Sequence, residues 1–290
     1  MLKRLVPLAA AIAAMSMAGA AYAGPVFLTG HDPDFHAQGQ ASGVHELQVA
    51  LNYVTGGTYN TGSERFLFVE SAIPATSGHR NGVNGLTGSL ALNQGLGLVQ
   101  GVNFDLVNGA GFTALTNFDA YSAIVVASSF GGMLTDAEIL ALNARATDIA
   151  SFVNAGGGLA AFAECGPGFF NCQSEYVSAS TPLFGFVPVG VSSVNTAQPY
   201  TLTPFGLGLG LVESDVDDCC THNSFAGPAG LNVVDFDANG VPTTLAGNVR
   251  IGDGGFEPGV PEPATWSLLI LGFGLAGAAL RRRRASMATA

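Results

Sequence analysis

Lysine is all but missing: Lys3 is the one lysine in 290 residues, and charged side chains make up only 11% of the chain. Arginine is confined as well. Arg4 stands beside Lys3, Arg281, Arg282, Arg283 and Arg284 stand together near the end, and only Arg65, Arg80, Arg145 and Arg250 lie between. Those four face 21 acidic residues spread from Asp32 to Glu262, which leaves the middle of the chain at about −17. Such a surface repels phosphate backbones and anionic polymers, so it disfavours nucleic-acid binding and attracts divalent cations or basic partners. The same charge equally serves solubility alone. No repeat of fixed period runs through the chain. Glycine is abundant, at 40 residues, a balance that suits loops joining apolar strands better than surface helices.

Neither terminal apolar run reaches the ~20 residues that cross a hydrocarbon core comfortably. The first follows Lys3 and Arg4 and ends in Ala21-Tyr22-Ala23, the small-x-small pattern that signal peptidase reads, so residues 1–23 are expected to be a cleaved signal helix. Near the other end, Pro261-Glu262-Pro263 precedes an apolar run from Trp266 to Leu280, closed by Arg281 to Arg284. The arginines orient that short transmembrane helix with its C-terminal flank in the cytoplasm. The order of Pro-Glu-Pro, short helix and arginine cluster resembles the PEP-CTERM sorting signal, also called the ice-binding-protein C-terminal motif. The resemblance implies a Gram-negative, exopolysaccharide-producing host. It also implies an exosortase that removes the tail and leaves the protein at the cell surface or in the extracellular matrix. No regular threonine-rich repeat offers a flat ice-binding face. The expected layout is signal peptide 1–23, ectodomain 24–255, linker 256–265, and membrane helix with arginine cluster 266–284.

Inside the ectodomain, apolar runs at 25–29, 65–69, 102–107, 121–127 and 159–163 read as strands. Apolar positions 44, 47, 51 and 54 recur at helical spacing, and residues 86–98 read as a looser helix. Thr135-Asp136-Ala137-Glu138 is a capping box, opening a helix whose apolar positions 139, 142, 146, 149, 152 and 153 carry it to Asn154, where Gly156-Gly157-Gly158 stops it. Strand and helix alternating at this spacing predict a parallel sheet covered on both faces. Shorter strands are expected near 186–191, 200–203, 231–236, 242–245 and 249–251, with a hairpin about Asn239-Gly240. The segment from Phe118 to Glu164, with the opening Val26-Phe27-Leu28-Thr29-Gly30-His31, resembles the glutamine-amidotransferase-like superfamily in its trehalose-utilisation-type branch. That likeness implies a flavodoxin-like, three-layer parallel α/β fold over residues 25–250, and leaves activity open because the superfamily mixes enzymes with non-catalytic members.

In an open parallel sheet, ligands bind beyond the carboxyl ends of the strands. The loops expected there hold His31, Asp32, Asp34 and His36; Ser128 and Ser129; Glu164 and Cys165; and Asp217 to His222. His31, Asp32 and His36, completed by His222, could hold a divalent metal, with Glu164 as general base. Equally, Asp32 and Asp34 could cap turns around Pro33. Cys165 falls where the amidotransferase fold places its nucleophile, but Ala163 and Pro167 stand where the elbow requires glycine. Neither Ser128 nor Ser129 sits in a Gly-x-Ser-x-Gly elbow. Four cysteines allow three pairings. A bond between adjacent Cys219 and Cys220 is strained, and both other pairings tie the Cys165–Cys172 loop to the 219–220 pair. Asp235-x-Asp237-x-Asn239-Gly240 begins like a calcium loop, but Ala246 stands where the bidentate glutamate belongs, so a hairpin turn is the simpler reading. The run Glu213 to Asp218 reads as a solvated face. Three functions stay open: a non-catalytic surface or matrix binding module, a metal-dependent hydrolase of extracellular sugar or peptide derivatives, and a calcium-dependent matrix component.

Overall fold

Largely apolar runs form the first five strands of the sheet in the computed structural model: β1 (Gly24–Thr29), β2 (Arg65–Val69), β3 (Phe104–Val107), β4 (Tyr121–Val126) and β5 (Gly158–Phe162). The structure describes residues 23–37, 40–71, 91–129, 133–163, 184–189, 191–192, 196–217, 223–252, 255–258 and 273–274. The chain divides into two compact units, Ala23–Pro258 and a second made of Met1–Tyr22 with Gly259–Ala290. The elements that follow belong to the first unit. Short helices α1 (Pro33–His36), α3 (Gly109–Ala114), α6 (Pro204–Gly208) and α7 (Glu213–Val216) accompany the longer α2 (Ala41–Thr55), α4 (Asp136–Ala144) and α5 (Ala146–Asn154). The later strands are β6 (Val191–Ser192), β7 (Thr201–Leu202), β8 (Ser224–Phe225), β9 (Asn232–Phe236), β10 (Pro242–Gly252) and β11 (Gly255–Pro258).

Strand side chains alternate between two cores. Val26, Leu28, Leu67, Val69, Ile124, Val126, Leu159 and Ala161 pack with Ile139 and Leu142 of α4 and with Ile149 and Val153 of α5. Phe27, Phe66, Phe68, Ala123, Val125, Ala160 and Phe162 pack on the opposite face with Leu47, Ala50, Leu51 and Val54 of α2. Helices therefore cover both faces, which is why these strands read as continuous apolar runs rather than alternating ones. Each fully buried phenylalanine contributes on the order of 2–3 kcal/mol. Glycine is required where β5 starts, because a Cβ at Gly158 would lie 1.9 Å from the Val54 carbonyl oxygen of α2.

Among the described residues the main sheet has nine strands, in the order β3-β2-β4-β5-β1-β10-β9-β7, with β11 paired to β10. Neighbours from β3 to β1 are parallel, and those from β1 onward are antiparallel. The expectation of a parallel sheet thus holds for one half of a mixed sheet. The parallel half also departs from the flavodoxin-like order 2-1-3-4-5, in which β1 lies between β2 and β3; here β1 lies between β5 and β10. The antiparallel pairing of β9 with β10 follows from connection length. A parallel neighbour needs a crossover of a dozen residues or more, whereas β9 and β10 are joined by a tight turn that can only return the chain antiparallel.

Other differences are local. The helix expected to run unbroken to Asn154 divides at Arg145, whose backbone leaves the helical region. The Arg145 guanidinium donates to the Phe112 and Leu115 carbonyls at 2.8 and 2.9 Å and lies 4.4 Å from the Phe118 ring centroid, contacts that fix it at the break. Residues 91–95 form one π-helical turn. The strand expected near 186–191 is reduced to β6, which pairs with β8 in a separate two-stranded sheet, and 242–245 and 249–251 merge in β10. Among the described residues no helix is long and apolar enough to cross a membrane. The expected signal and membrane helices lie outside those residues, save Ala23 and the helical pair 273–274.

Candidate functional site

Polar side chains are buried together at the carboxyl rim of the parallel strands. Thr29 ends β1, and its hydroxyl accepts from the His31 amide at 3.0 Å and donates to Glu46 Oε1 at 3.3 Å. The Thr244 hydroxyl of β10 lies within hydrogen-bond distance of the Thr29 hydroxyl, at 2.9 Å. His31 Nε2 pairs with Asp235 Oδ2 of β9 at 3.0 Å, and the His31 and Tyr200 rings meet in a T-shaped contact at 5.0 Å between centroids. The Thr243 hydroxyl donates to the same Asp235 oxygen. A register shift in β10 around Thr244 brings two successive threonines into this cluster, the re-aiming that bulges provide. On α1, His36 Nε2 pairs with Asp32 Oδ1 at 3.1 Å. Asp34 Oδ2 accepts from the Ser128 amide, just beyond β4, at 2.9 Å. Glu70 and Ser71, following β2, are buried as well.

Burial and neighbouring charge set the protonation of this cluster. Burial lowers the His31 pKa, but the carboxylates of Asp235, Glu46 and Asp32 outweigh it and raise the imidazole to about 9. Glu46 is pushed up to about 8, first by burial and against the attraction of His31. Burial likewise pushes Asp34 up to about 7, opposed by the hydrogen bond from the Ser128 amide. One oxygen each on Asp32, Asp34 and Asp235 is buried without a hydrogen-bond partner, an arrangement that costs free energy unless a proton, water or cation satisfies it.

The structure brings His31, Asp32 and His36 into one neighbourhood, yet each imidazole faces a different carboxylate. Among the described residues no group of three or more His, Cys, Asp or Glu side chains is arranged to hold a metal ion. Ser128 directs its hydroxyl to the Met133 sulfur at 3.8 Å. Glu164, His222 and the cysteines Cys165, Cys172, Cys219 and Cys220 lie outside the described residues, as do Pro261, Glu262, Pro263 and Arg281 to Arg284. The Asp235–Gly240 segment is a turn: Asp237 Oδ1 accepts from the Asn239 and Val241 amides at 2.9 and 2.8 Å, while Asp235 belongs to the His31 cluster. The acidic run is not a solvated face throughout. Asp215 is buried against His45 at 2.7 Å, and Glu213 and Asp217 accept from the Leu202 and Tyr200 amides of the outer strand segment.

Sequence reasoning missed Thr243, Thr244, Glu46 and Glu70, and it read Asp235 only as part of a turn or calcium loop, not as the partner of His31. Glu46 had a signal: a carboxylate between Gly43 and Ala50 on the buried stripe of α2. A charge at such a position needs a partner.

Taken together, the described unit defines an α/β protein with a large mixed sheet and a buried polar rim. The PEP-CTERM protein-sorting motif is matched at residues 259–284. No curated protein and no solved structure matches the chain. The motif marks an exported protein that exosortase sorts to the cell surface. The match covers the tail alone, and no family match extends to the ectodomain, so the amidotransferase-like resemblance gains no support from it.

Proposed function

We propose that the ectodomain is a non-catalytic binding or structural module of the cell surface or extracellular matrix. Signal peptidase releases its start, and exosortase acts at the Pro261-Glu262-Pro263 tail. The observation that carries this reading is the His31–Asp235 pair. Its imidazole nitrogen is 3.0 Å from a carboxylate of the antiparallel half, and His31 is only 5% exposed. An imidazole committed in this way fastens β1 to β9 instead of facing a substrate. An exopolysaccharide matrix is the partner class that the sorting signal implies, and the amidotransferase-like ancestry of the domain belongs to the same proposal. So do the two disulfides joining Cys165 and Cys172 to Cys219 and Cys220.

A second reading rests on the unpartnered oxygens of Asp32, Asp34 and Asp235. They would suit a divalent cation in a hydrolase, with His31, Asp32, His36 and His222 around the metal and Glu164 as base. Metal analysis of the exported protein, purified from its producing cell, separates the two. The module predicts no stoichiometric zinc or manganese and no hydrolysis of host polysaccharide. Stoichiometric metal that is lost in His31→Ala together with hydrolysis would establish the enzyme. Titration of native protein with a thiol reagent tests the disulfides, for which fewer than two reactive thiols are expected.

A further inference from the structure

A cavity of about 490 Å3 opens at the opposite edge of the parallel strands from the polar rim. Its walls come from the starts of strands and the ends of helices: Pro25 of β1, Tyr121 and Ser122 of β4, and Glu64 and Asp119 just ahead of β2 and β4. Val54 to Gly56 close α2 on one side, and Phe152 and Ala155 to Gly157 close α5 on the other. The volume falls in the range of small-molecule sites.

Its electrostatics are one-sided. Two helices end at the cavity, and neither carries a basic residue in its last turn, so the negative ends of both dipoles are uncompensated by their own side chains. The exposed carboxylates of Glu64 and Asp119 make no hydrogen bond or ion pair among the described residues, and no cationic side chain lines the wall. The adjacent Arg65 is held by Asp105 at 3.0 Å, and Tyr121 donates its hydroxyl to the same Asp105 carboxylate at 3.1 Å. Tyr121 and Phe152 offer aromatic surface, and Pro25 and Val54 offer aliphatic surface.

We infer that this cavity binds a small organic cation: an ammonium or guanidinium group, held between Glu64 and Asp119 against the aromatic walls, on an apolar body lying over Pro25 and Val54. Aromatic faces and carboxylates together favour an organic cation over a hydrated metal ion. The site is independent of the polar rim, so it stands or falls apart from the His31 reading.

Calorimetric titration of the full exported protein tests it, with benzylamine and agmatine as cationic probes, benzyl alcohol as the neutral isostere, and hexa-arginine as a peptide source of the same cation. At least one cationic probe is expected to bind, more weakly at high salt, and benzyl alcohol is not. The double variant E64Q/D119N should weaken binding by about tenfold and E64K/D119K should abolish it, both with melting unchanged because the two side chains are exposed. Binding of benzylamine or agmatine identifies a free small-molecule ligand, and binding of hexa-arginine alone identifies a basic segment of another protein. Equal binding of benzyl alcohol, undiminished binding by E64Q/D119N, or no binding by any cation at 10 mM (roughly ten thousandfold above the tight end of small-ligand KM values) would overturn the inference.

Discussion

Replacing Asp235 by alanine probes the polar rim most deeply. Its Oδ2 serves both His31 Nε2, at 3.0 Å, and the Thr243 hydroxyl, and Asp235 is fully buried. The substitution leaves a buried imidazole and a buried hydroxyl without the acceptor they share. A buried donor left unsatisfied costs about 1–3 kcal/mol, and a broken buried ion pair costs about 3–5 kcal/mol. We take ~4 kcal/mol for the variant. For a unit of this size each kcal/mol moves the midpoint by about 2–4 °C, so the melting temperature should fall by roughly 8–16 °C. Circular dichroism melts of wild type, Asp235→Ala, His31→Ala and the double variant complete a cycle. The double variant should lose less than the two singles combined, by at least about 0.5 kcal/mol. A fall below about 4 °C in Asp235→Ala, or strict additivity, would refute the claim that this pair joins the two halves of the sheet.

Stability should decline as pH rises. His31 is raised from 6.5 to about 9, so its contribution is complete below pH 6.5 and is lost as the pH passes 9. Asp34 and Glu46, raised to about 7 and 8, keep their protons in the folded state over a range where the unfolded chain has released them, which favours folding on the acid side. Melts should therefore be highest near pH 5 and lowest near pH 9, and a profile rising toward pH 9 would contradict the assignment. Gly158→Ala should destabilise by about 2–3 kcal/mol through overpacking against the Val54 carbonyl in chemical denaturation, and an unchanged midpoint would show that β5 and α2 do not meet so closely. Replacing Arg281 to Arg284 by alanine should leave the protein unsorted and deplete it from the surface fraction in immunoblots, whereas normal surface levels would show that the cluster is dispensable.

Much of the parallel half could be read from the chain. Residues 65–69 and 121–126 are apolar at every or nearly every position because both faces are covered, and Thr135 with Glu138 forms the capping box its spacing announces. The antiparallel half was harder to read. Its strands are short or merge, and nothing local in Thr243, Thr244 or Asp235 says that they will face β1, more than 200 residues earlier in the chain. The same holds for the break at Arg145, whose cause is distant carbonyls and aromatic rings. His31, Asp32 and His36 were visible as a concentration of chemistry, but their partners are set by tertiary pairing, which residue spacing does not encode.

The nitrogen resonances of the His31 ring, followed by NMR at pH 7 with and without added zinc or manganese, address the rim directly. An imidazolium held by Asp235 should show both ring nitrogens protonated and no response to the metal. A neutral ring whose signals shift or broaden on stoichiometric addition would place a metal where a structural tie is claimed.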